Sequence, residues 1–202
     1  MGTPFLKWAG GKRQLMEEIF ANFPKKIDQY DLYVEPFLGG GSILIEVLNR
    51  GFPGKVVASD LNRDIILCYQ MIRSQVAPLI QVLTEISEAM PEILEERKPF
   101  YYALRDEWNE GVSTWTQMSL SSKIRRASLT IALNKMCFNG LFRLNSKGLF
   151  NVPMGGTKNL NIFLQENLIS LNHLFQNVEF ICSDYIEVFG EIMDNKQAFL
   201  YL

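Results

Sequence analysis

The stretch VEPFLGGGSILIEVLNRGFPGKVVASDLN, residues 34–62, decides the fold. An apolar segment, Tyr33–Phe37, runs into three consecutive glycines. A helix is expected near Ser42–Asn49, and a second strand over Lys55–Asp60 with Val56, Val57 and Ala58 at its centre. Asn62 is a residue type that caps helices, and a helix to about Ser74 would place Ile65, Ile66, Tyr69 and Ile72 on one face. Strand, helix, strand, helix is the pattern of a parallel sheet covered by helices.

Outward from this unit the rhythm breaks and later resumes. Residues 77–115 read as polar helices punctuated by Pro91 and Pro99. Ser122–Cys137 reads as a helix, positive at its start and apolar in its middle. Residues 138–156, FNGLFRLNSKGLFNVPMGG, alternate polar and apolar residues around a central NSKG, which predicts a β-hairpin or ordered loop. A helix near Gln165–Phe175, a strand at Val178–Cys182, a helix near Ile186–Met193 and a strand from Ala198 then restore the sheet pattern. The expected architecture is α/β, with a discontinuous domain (1–75 and 160–202) and an insertion at 76–159.

Composition narrows the function classes. The chain has 202 residues, 48% apolar and 21% charged, as expected of a globular fold rather than a disordered or fibrous one. Its longest apolar runs are too short to span a bilayer, and the N-terminus has no apolar core of a signal peptide. The three cysteines, Cys68, Cys137 and Cys182, are widely spaced and form no CxxC pair, so neither zinc nor a disulfide framework is expected. The one histidine, His173, sits in a run of apolar spacing and is assigned a structural role. A cytoplasmic monomer without metal is expected.

The formal charge of −2 conceals a segregation. Residues 111–165 contain no acid but hold Lys123, Arg125, Arg126, Lys135, Arg143, Lys147 and Lys158. The rest of the chain carries 13 basic against all 22 acidic residues. Local asymmetry of this kind suits a polyanionic partner, although a solvated face lacking acids would look the same.

Three stretches carry chemistry. In VEPFLGGGS the glycines let backbone approach a ligand at a helix N-terminus. Gly39-x-Gly41-x-x-Leu44 lacks the third glycine of a dinucleotide fingerprint, no phosphate-loop motif is present, and a plain tight turn is the alternative. Asp60 ends the second strand 19 residues after Gly41. An acid there accepts from ribose hydroxyls in Rossmann-like units, while helix capping is the alternative. The combination with the glycines favours a nucleoside. In FLKWAGGKRQL, residues 5–15, Trp8 offers a flat face and Lys12 a charge for a carboxylate, or the segment is an ordinary helix start.

KWAGGK (7–12), EPFLGGGS (35–42), SDLN (59–62) and NGLFRLNSKGLFNVPMG (139–155) occur in the order found in the Dam-type, D12 class adenine-specific DNA methyltransferases, and the chain resembles that family over nearly its whole length. The resemblance implies a Rossmann-like fold that binds S-adenosylmethionine. It implies cofactor contacts at Glu35, Phe37, Gly39 and Gly41 in the turn, at Asp60 for the ribose, at Trp8 and Lys12 for the amino-acid end, and at Asp184 and Tyr185 of CSDY for the adenine. It implies that the insertion recognises double-stranded DNA. Arg143 matches the base-reading arginine, Asn139, Leu141 and Asn145 flank it, and Lys147, Arg125 and Arg126 are assigned to phosphates. GATC-methylating members often have an Arg where this chain has Gly156, so the target sequence stays open.

Adenine N6 is a weak nucleophile because its lone pair is delocalised. The family meets this with an Asp-Pro-Pro-Tyr motif acting on a flipped base. No Asp-Pro pair occurs in residues 1–202. The resemblance places the motif directly after a strand like AFLYL (198–202), hence just after Leu202, and assigns no catalytic residue within the chain. A truncated and inactive form of a longer enzyme is therefore expected, with its later strands absent. A non-catalytic DNA- or nucleoside-binding module is the alternative. An RNA or protein methyltransferase would share the turn and Asp60 but is not expected to carry NGLFRLNSKG.

Overall fold

The computed structural model describes residues 1–8, 15–111, 115–157, 159–192 and 197–202. Four parallel strands form one sheet: β1 (Leu32–Glu35), β2 (Lys55–Asp60), β3 (Val178–Cys182) and β4 (Ala198–Leu200), in the order β3-β2-β1-β4. Val34 lies opposite Val57 on one side and Leu200 on the other, and Ala58 lies opposite Phe180. The strands proceed outward from β1 through β2 to β3, and β4 then joins the other side of β1. This is the strand arrangement of a Rossmann-like fold, in which ligands bind in the crevice beyond the carboxyl ends of the strands at the switch point, here the place between β1 and β4.

Eight α-helices are described: α1 (Met16–Ala21), α2 (Ser42–Asn49), α3 (Arg63–Ser74), α4 (Val76–Ala89), α5 (Leu94–Glu110), α6 (Leu120–Met136), α7 (Gln165–Leu174) and α8 (Tyr185–Ile192). Alternation along the strands sends Tyr33, Val56, Ala58 and Phe180 into the main core. Leu32 and Val34 pack on the opposite face against Val188 of α8. The sheet is therefore covered on both sides, as a parallel sheet requires.

The α3 start behaves as its sequence predicts. The Asn62 side chain accepts from the amides of Asp64 (3.1 Å) and Ile65 (3.3 Å), satisfying donors that a helix leaves open at its N-terminus. Pro36 follows β1 and the strand ends at Glu35, two residues earlier than its apolar pattern suggests.

Two expectations are revised. The strand expected to run from Ala198 through Leu202 stops at Leu200. The Tyr201 amide still donates to the Val34 carbonyl at 2.9 Å. The next residue of the β1 chain on that side is Pro36, which has no amide to carry the ladder further. Leu202 follows the strand and is 69% exposed. Pro99 does not punctuate a helix but lies inside α5. Proline removes one backbone donor there, yet Tyr101, Leu104 and Trp108 bury one face of α5 and carry the helix through. Helices on both sides of residue 76 pack together. Helix α6 is buried along most of its length and packs on α3 as well as on α4 and α5. One continuous core thus holds Ile65 and Tyr69 together with Leu79, Trp108 and Leu129.

The 138–156 segment forms a short antiparallel ladder rather than full strands, with bridges Cys137–Met154 and Leu144–Phe150. At its tip the Asn145 side chain accepts from the amides of Lys147 (2.9 Å) and Leu149 (3.1 Å), and Gly148 takes a φ of 74°. Phe150 and Val152 anchor the ladder in the core. The Tyr101 hydroxyl donates to the Val152 carbonyl at 2.7 Å.

Candidate functional site

The glycine turn stands at the switch point. Gly39 and Gly41 have φ of 47° and 65°, in the left-handed region. A Cβ on Gly39 would lie 2.6 Å from Trp8 Nε1, and one on Gly40 would lie 2.7 Å from Trp8 Cβ. The turn is therefore closed on one side by the Trp8 indole. Tyr69 closes it from below, its hydroxyl donating to the Gly39 carbonyl at 3.2 Å.

Asp60 is joined to this turn. One carboxylate oxygen accepts from the Gly39 amide at 2.8 Å and the other from the Asn62 amide at 2.8 Å. Half-buried Asp60 thus links the ends of β1 and β2. A carboxylate accepts about four hydrogen bonds, so it keeps capacity for two hydroxyls.

Glu35 lies beneath the turn rather than open to the crevice, only 4% exposed. Its carboxylate accepts from the Tyr33 hydroxyl at 2.7 Å and faces the Leu44 amide in the first turn of α2, whose glycine N-cap offers no side chain. Burial pushes the Glu35 carboxyl up to about 8, against the opposing pull of these two donors. In this chain Glu35 organises the turn from inside.

On the outer side of the crevice, Phe37 is 57% exposed and Tyr185 is 38% exposed, their rings 5.4 Å apart at 40°. Exposed Leu61 and Ile186 extend this apolar rim at the carboxyl ends of β2 and β3. Sequence reasoning missed both; their signal was adjacency to Asp60 and Tyr185. Asp184 accepts from the Ile186 amide at 2.9 Å through Oδ1, at the start of α8. Lys12 lies outside the described residues.

A side chain not foreseen from sequence ties this crevice to the basic segment. Asn134 of α6 accepts from the Lys7 amide (2.8 Å) and donates to the carbonyls of Lys7 and Gly140 (both 2.9 Å). Gly140 packs on the Lys7 stem too closely to admit a Cβ. Trp8, already seated on the glycine turn, also meets the Phe142 ring at 6.2 Å. The N-terminal segment is thus shared by the turn and the basic loop.

The loop presents exposed Phe138, Asn139 and Arg143, with Asn139 at a φ of 54°. Arg143 Nε donates to Asn151 Oδ1 at 2.7 Å, which fixes the side chain along the ladder. Asn145 and Lys147 are exposed at the tip, while Leu141 is half-buried. Phe138, an exposed aromatic beside Asn139, was not singled out from sequence. Lys135 is half-buried, and burial, then the nearby Lys7 charge, lowers its ammonium to about 8.

The two arginines of α6 separate. Arg125 is partly exposed and forms a two-point pair with Glu107, both contacts 2.7 Å. Arg126 is corrected from a phosphate contact on an exposed face to a core residue. It is 3% exposed, donates to Asp64 Oδ1 at 2.7 Å and lies 3.5 Å from the Trp108 ring. The helical period turned it inward where α6 meets α3. Among the described residues no group of three or more His, Cys, Asp or Glu is placed to hold a metal, and no helix is long and apolar enough to cross a membrane.

The family model of D12 class N6 adenine-specific DNA methyltransferases matches residues 8–202. The Type II methyltransferase M.MjaIII of Methanocaldococcus jannaschii is 40% identical over 201 residues, covering 98% of this chain and 67% of that protein. The Type II methyltransferase M1.LlaDCHI of Lactococcus lactis subsp. cremoris is 33% identical over 193 residues, covering 95% and 62%. The DNA adenine methylase of Escherichia coli (strain K12) is 33% identical over 183 residues, covering 91% and 58%. The chain therefore spans between 58% and 67% of the length of these relatives.

Proposed function

Because the chain belongs to the family of D12 class N6 adenine-specific DNA methyltransferases, we propose that it binds S-adenosylmethionine in the crevice and duplex DNA on the 138–150 loop, for methylation of adenine N6. The observation that carries this reading is the junction at Trp8, which packs on the glycine turn and on Phe142 of the basic loop at once. A cofactor and a nucleic acid held on the two sides of this junction would be neighbours.

The residues present fit such a cofactor. Asp60 keeps acceptor capacity for the two ribose hydroxyls. Phe37 and Tyr185 offer exposed aromatic faces to the purine, and Asp184 offers a carboxylate to its amine. Trp8 and Lys12 would close the amino-acid end, with Glu35, Gly39 and Gly41 shaping the turn. When bound, the cofactor supplies an electrophilic methyl group on a sulfonium sulfur.

Toward DNA, Arg143 reads a base edge, with Asn139, Leu141 and Asn145 beside it and exposed Phe138 against the base stack. Lys147 and Arg125 neutralise phosphates. Residues 1–202 contain no Asp-Pro-Pro-Tyr, so binding, orientation and recognition are the roles assigned to them, and no step of the transfer itself is. Titration calorimetry with S-adenosylmethionine tests the crevice: binding is expected for the wild type and lost in Asp60→Ala. Equal affinity of the two would remove the ribose assignment.

A further inference from the structure

Two segments far apart in the chain meet on one buried amide. Asn134 lies near the end of α6 and is 2% exposed. It accepts from the Lys7 amide and donates to the carbonyls of Lys7 and Gly140, so one side chain holds backbone from both segments. Both amide hydrogens and the oxygen are engaged, and an apolar residue at 134 would leave three backbone groups without that partner. Helix α6, packed by α3, α4 and α5, gives the amide a fixed position.

On the loop side Asn134 holds an unfavourable conformation. Asn139 and Gly140 are consecutive residues at positive φ, 54° and 64°. Glycine adopts this region freely, whereas the Cβ of Asn139 disfavours it. Such a turn persists when its surroundings fix it. The fixing contacts are the Asn134 bond to the Gly140 carbonyl, the Leu141 amide on the Phe138 carbonyl at 3.2 Å, and the Lys7 stem, which leaves no room for a Cβ on Gly140. This turn sets where Phe138, Asn139 and Arg143 leave the fold. On the crevice side, Lys7 precedes Trp8, whose indole closes the glycine turn over Gly39 and Gly40. Asn134 is buried and acts only through these neighbours.

We propose that Asn134 is a positioning residue through which S-adenosylmethionine in the crevice and duplex DNA on the loop, the two ligands assigned above, strengthen each other's binding. A cofactor seated against Trp8 restrains residues 7–8. Through Asn134 the same restraint orders the turn at 139–140. DNA then meets a loop that is already ordered, which is positive coupling without a change of shape. Linkage makes the effect reciprocal, so DNA raises cofactor affinity by the same factor. The rings of Trp8 and Phe142, 6.2 Å apart, are the competing route.

The test is the ratio of DNA dissociation constants without and with saturating S-adenosylhomocysteine, which has no methyl group to transfer. The DNA is a short duplex that the wild type enriches from a randomised pool. The wild type should give a ratio of about 10. In Asn134→Ala the ratio should fall to about 1–2. Loss of stability alone would not lower it, because the folded fraction enters both measurements. Asn134→Asp keeps the acceptor toward the Lys7 amide but has no hydrogens for the two carbonyls. It serves the same measurement if Asn134→Ala does not fold, and its ratio should also fall to about 1–2. Phe142→Leu leaves the three Asn134 bonds in place and should keep most of the wild-type ratio. A wild-type ratio near 1, or a wild-type ratio retained in the Asn134 variants, overturns the proposal and leaves both ligand assignments standing. A ratio lost in Phe142→Leu but kept in Asn134→Ala also overturns it and moves the coupling to the rings. Absence of cofactor binding or of DNA binding in the wild type overturns the ligand assignments, and the coupling with them.

Discussion

The glycine turn and the 138–150 loop lie on either side of Trp8 and are built in opposite ways. The turn is almost entirely interior: its glycines are blocked by Trp8 and Tyr69, and Asp60 ties it to β2 by one short hydrogen bond. The loop is a brief ladder whose Asn139, Arg143, Asn145 and Lys147 project into solvent, anchored from beneath by Phe150 and Val152, by Asn134 at Gly140 and by Phe142 against Trp8. A change in the turn must therefore disturb packing as well as binding. A change in the loop can alter recognition while the fold stays intact.

The largest expected effect is in the turn. Gly39→Ala places a Cβ against the Trp8 indole at a positive φ and should cost about 2–4 kcal/mol of stability, read from the denaturant midpoint. A loss below about 0.5 kcal/mol would mean that the turn yields as readily as the loop, and the contrast would fail.

Glu35 sharpens the same contrast through pH. Its carboxyl, raised to about 8 by burial, keeps a proton in the folded chain that the unfolded chain has released. Stability from this group is full below the ordinary carboxylate value of about 4.5 and is lost as pH rises through about 8. Glu35→Gln cannot ionise, so thermal melts from pH 5 to 9 should fall less steeply than for wild type. Parallel profiles would show that Glu35 is already ionised in the fold.

In the loop, Arg143→Ala should lower discrimination between the preferred and altered DNA sites by about 1–3 kcal/mol, with stability changed by no more than about 0.5 kcal/mol. An unchanged site preference in competition binding removes Arg143 as a base reader. The smallest effect belongs to Lys147→Ala at the tip. Binding should weaken by a similar factor on every duplex, with the salt slope reduced by about one. Sequence-dependent weakening would move Lys147 from phosphate to base contact.

Much of this organisation is legible in residue order because it is set locally. The extents of α2 and β2, the cap by Asn62 and the start of β4 agree with the apolar period and with residues that favour caps and turns. The pairing of Gly39 with Asp60 was readable for a similar reason: both sit at strand ends that must be adjacent in a parallel sheet. Arg126 was not readable. Beside Arg125 in an acid-free run it looks like surface charge, and only the packing of α6 on α3 makes it the partner of Asp64. Asn134 was hidden likewise, since two of its backbone contacts join segments 127 residues apart.

Sequence alone determined a parallel α/β sheet, a glycine turn closed by an acid, and a basic segment without acids. Those features rest on short-range preferences: period-two apolar strands, glycine at positive φ, capping side chains and the count of charges. Tertiary structure decided which charged groups face water and which lie in the core. It also decided that one tryptophan serves both the turn and the loop. Burial depends on what packs from distant parts of the chain, and desolvation then sets whether Arg126 or Glu35 meets a ligand or supports the fold.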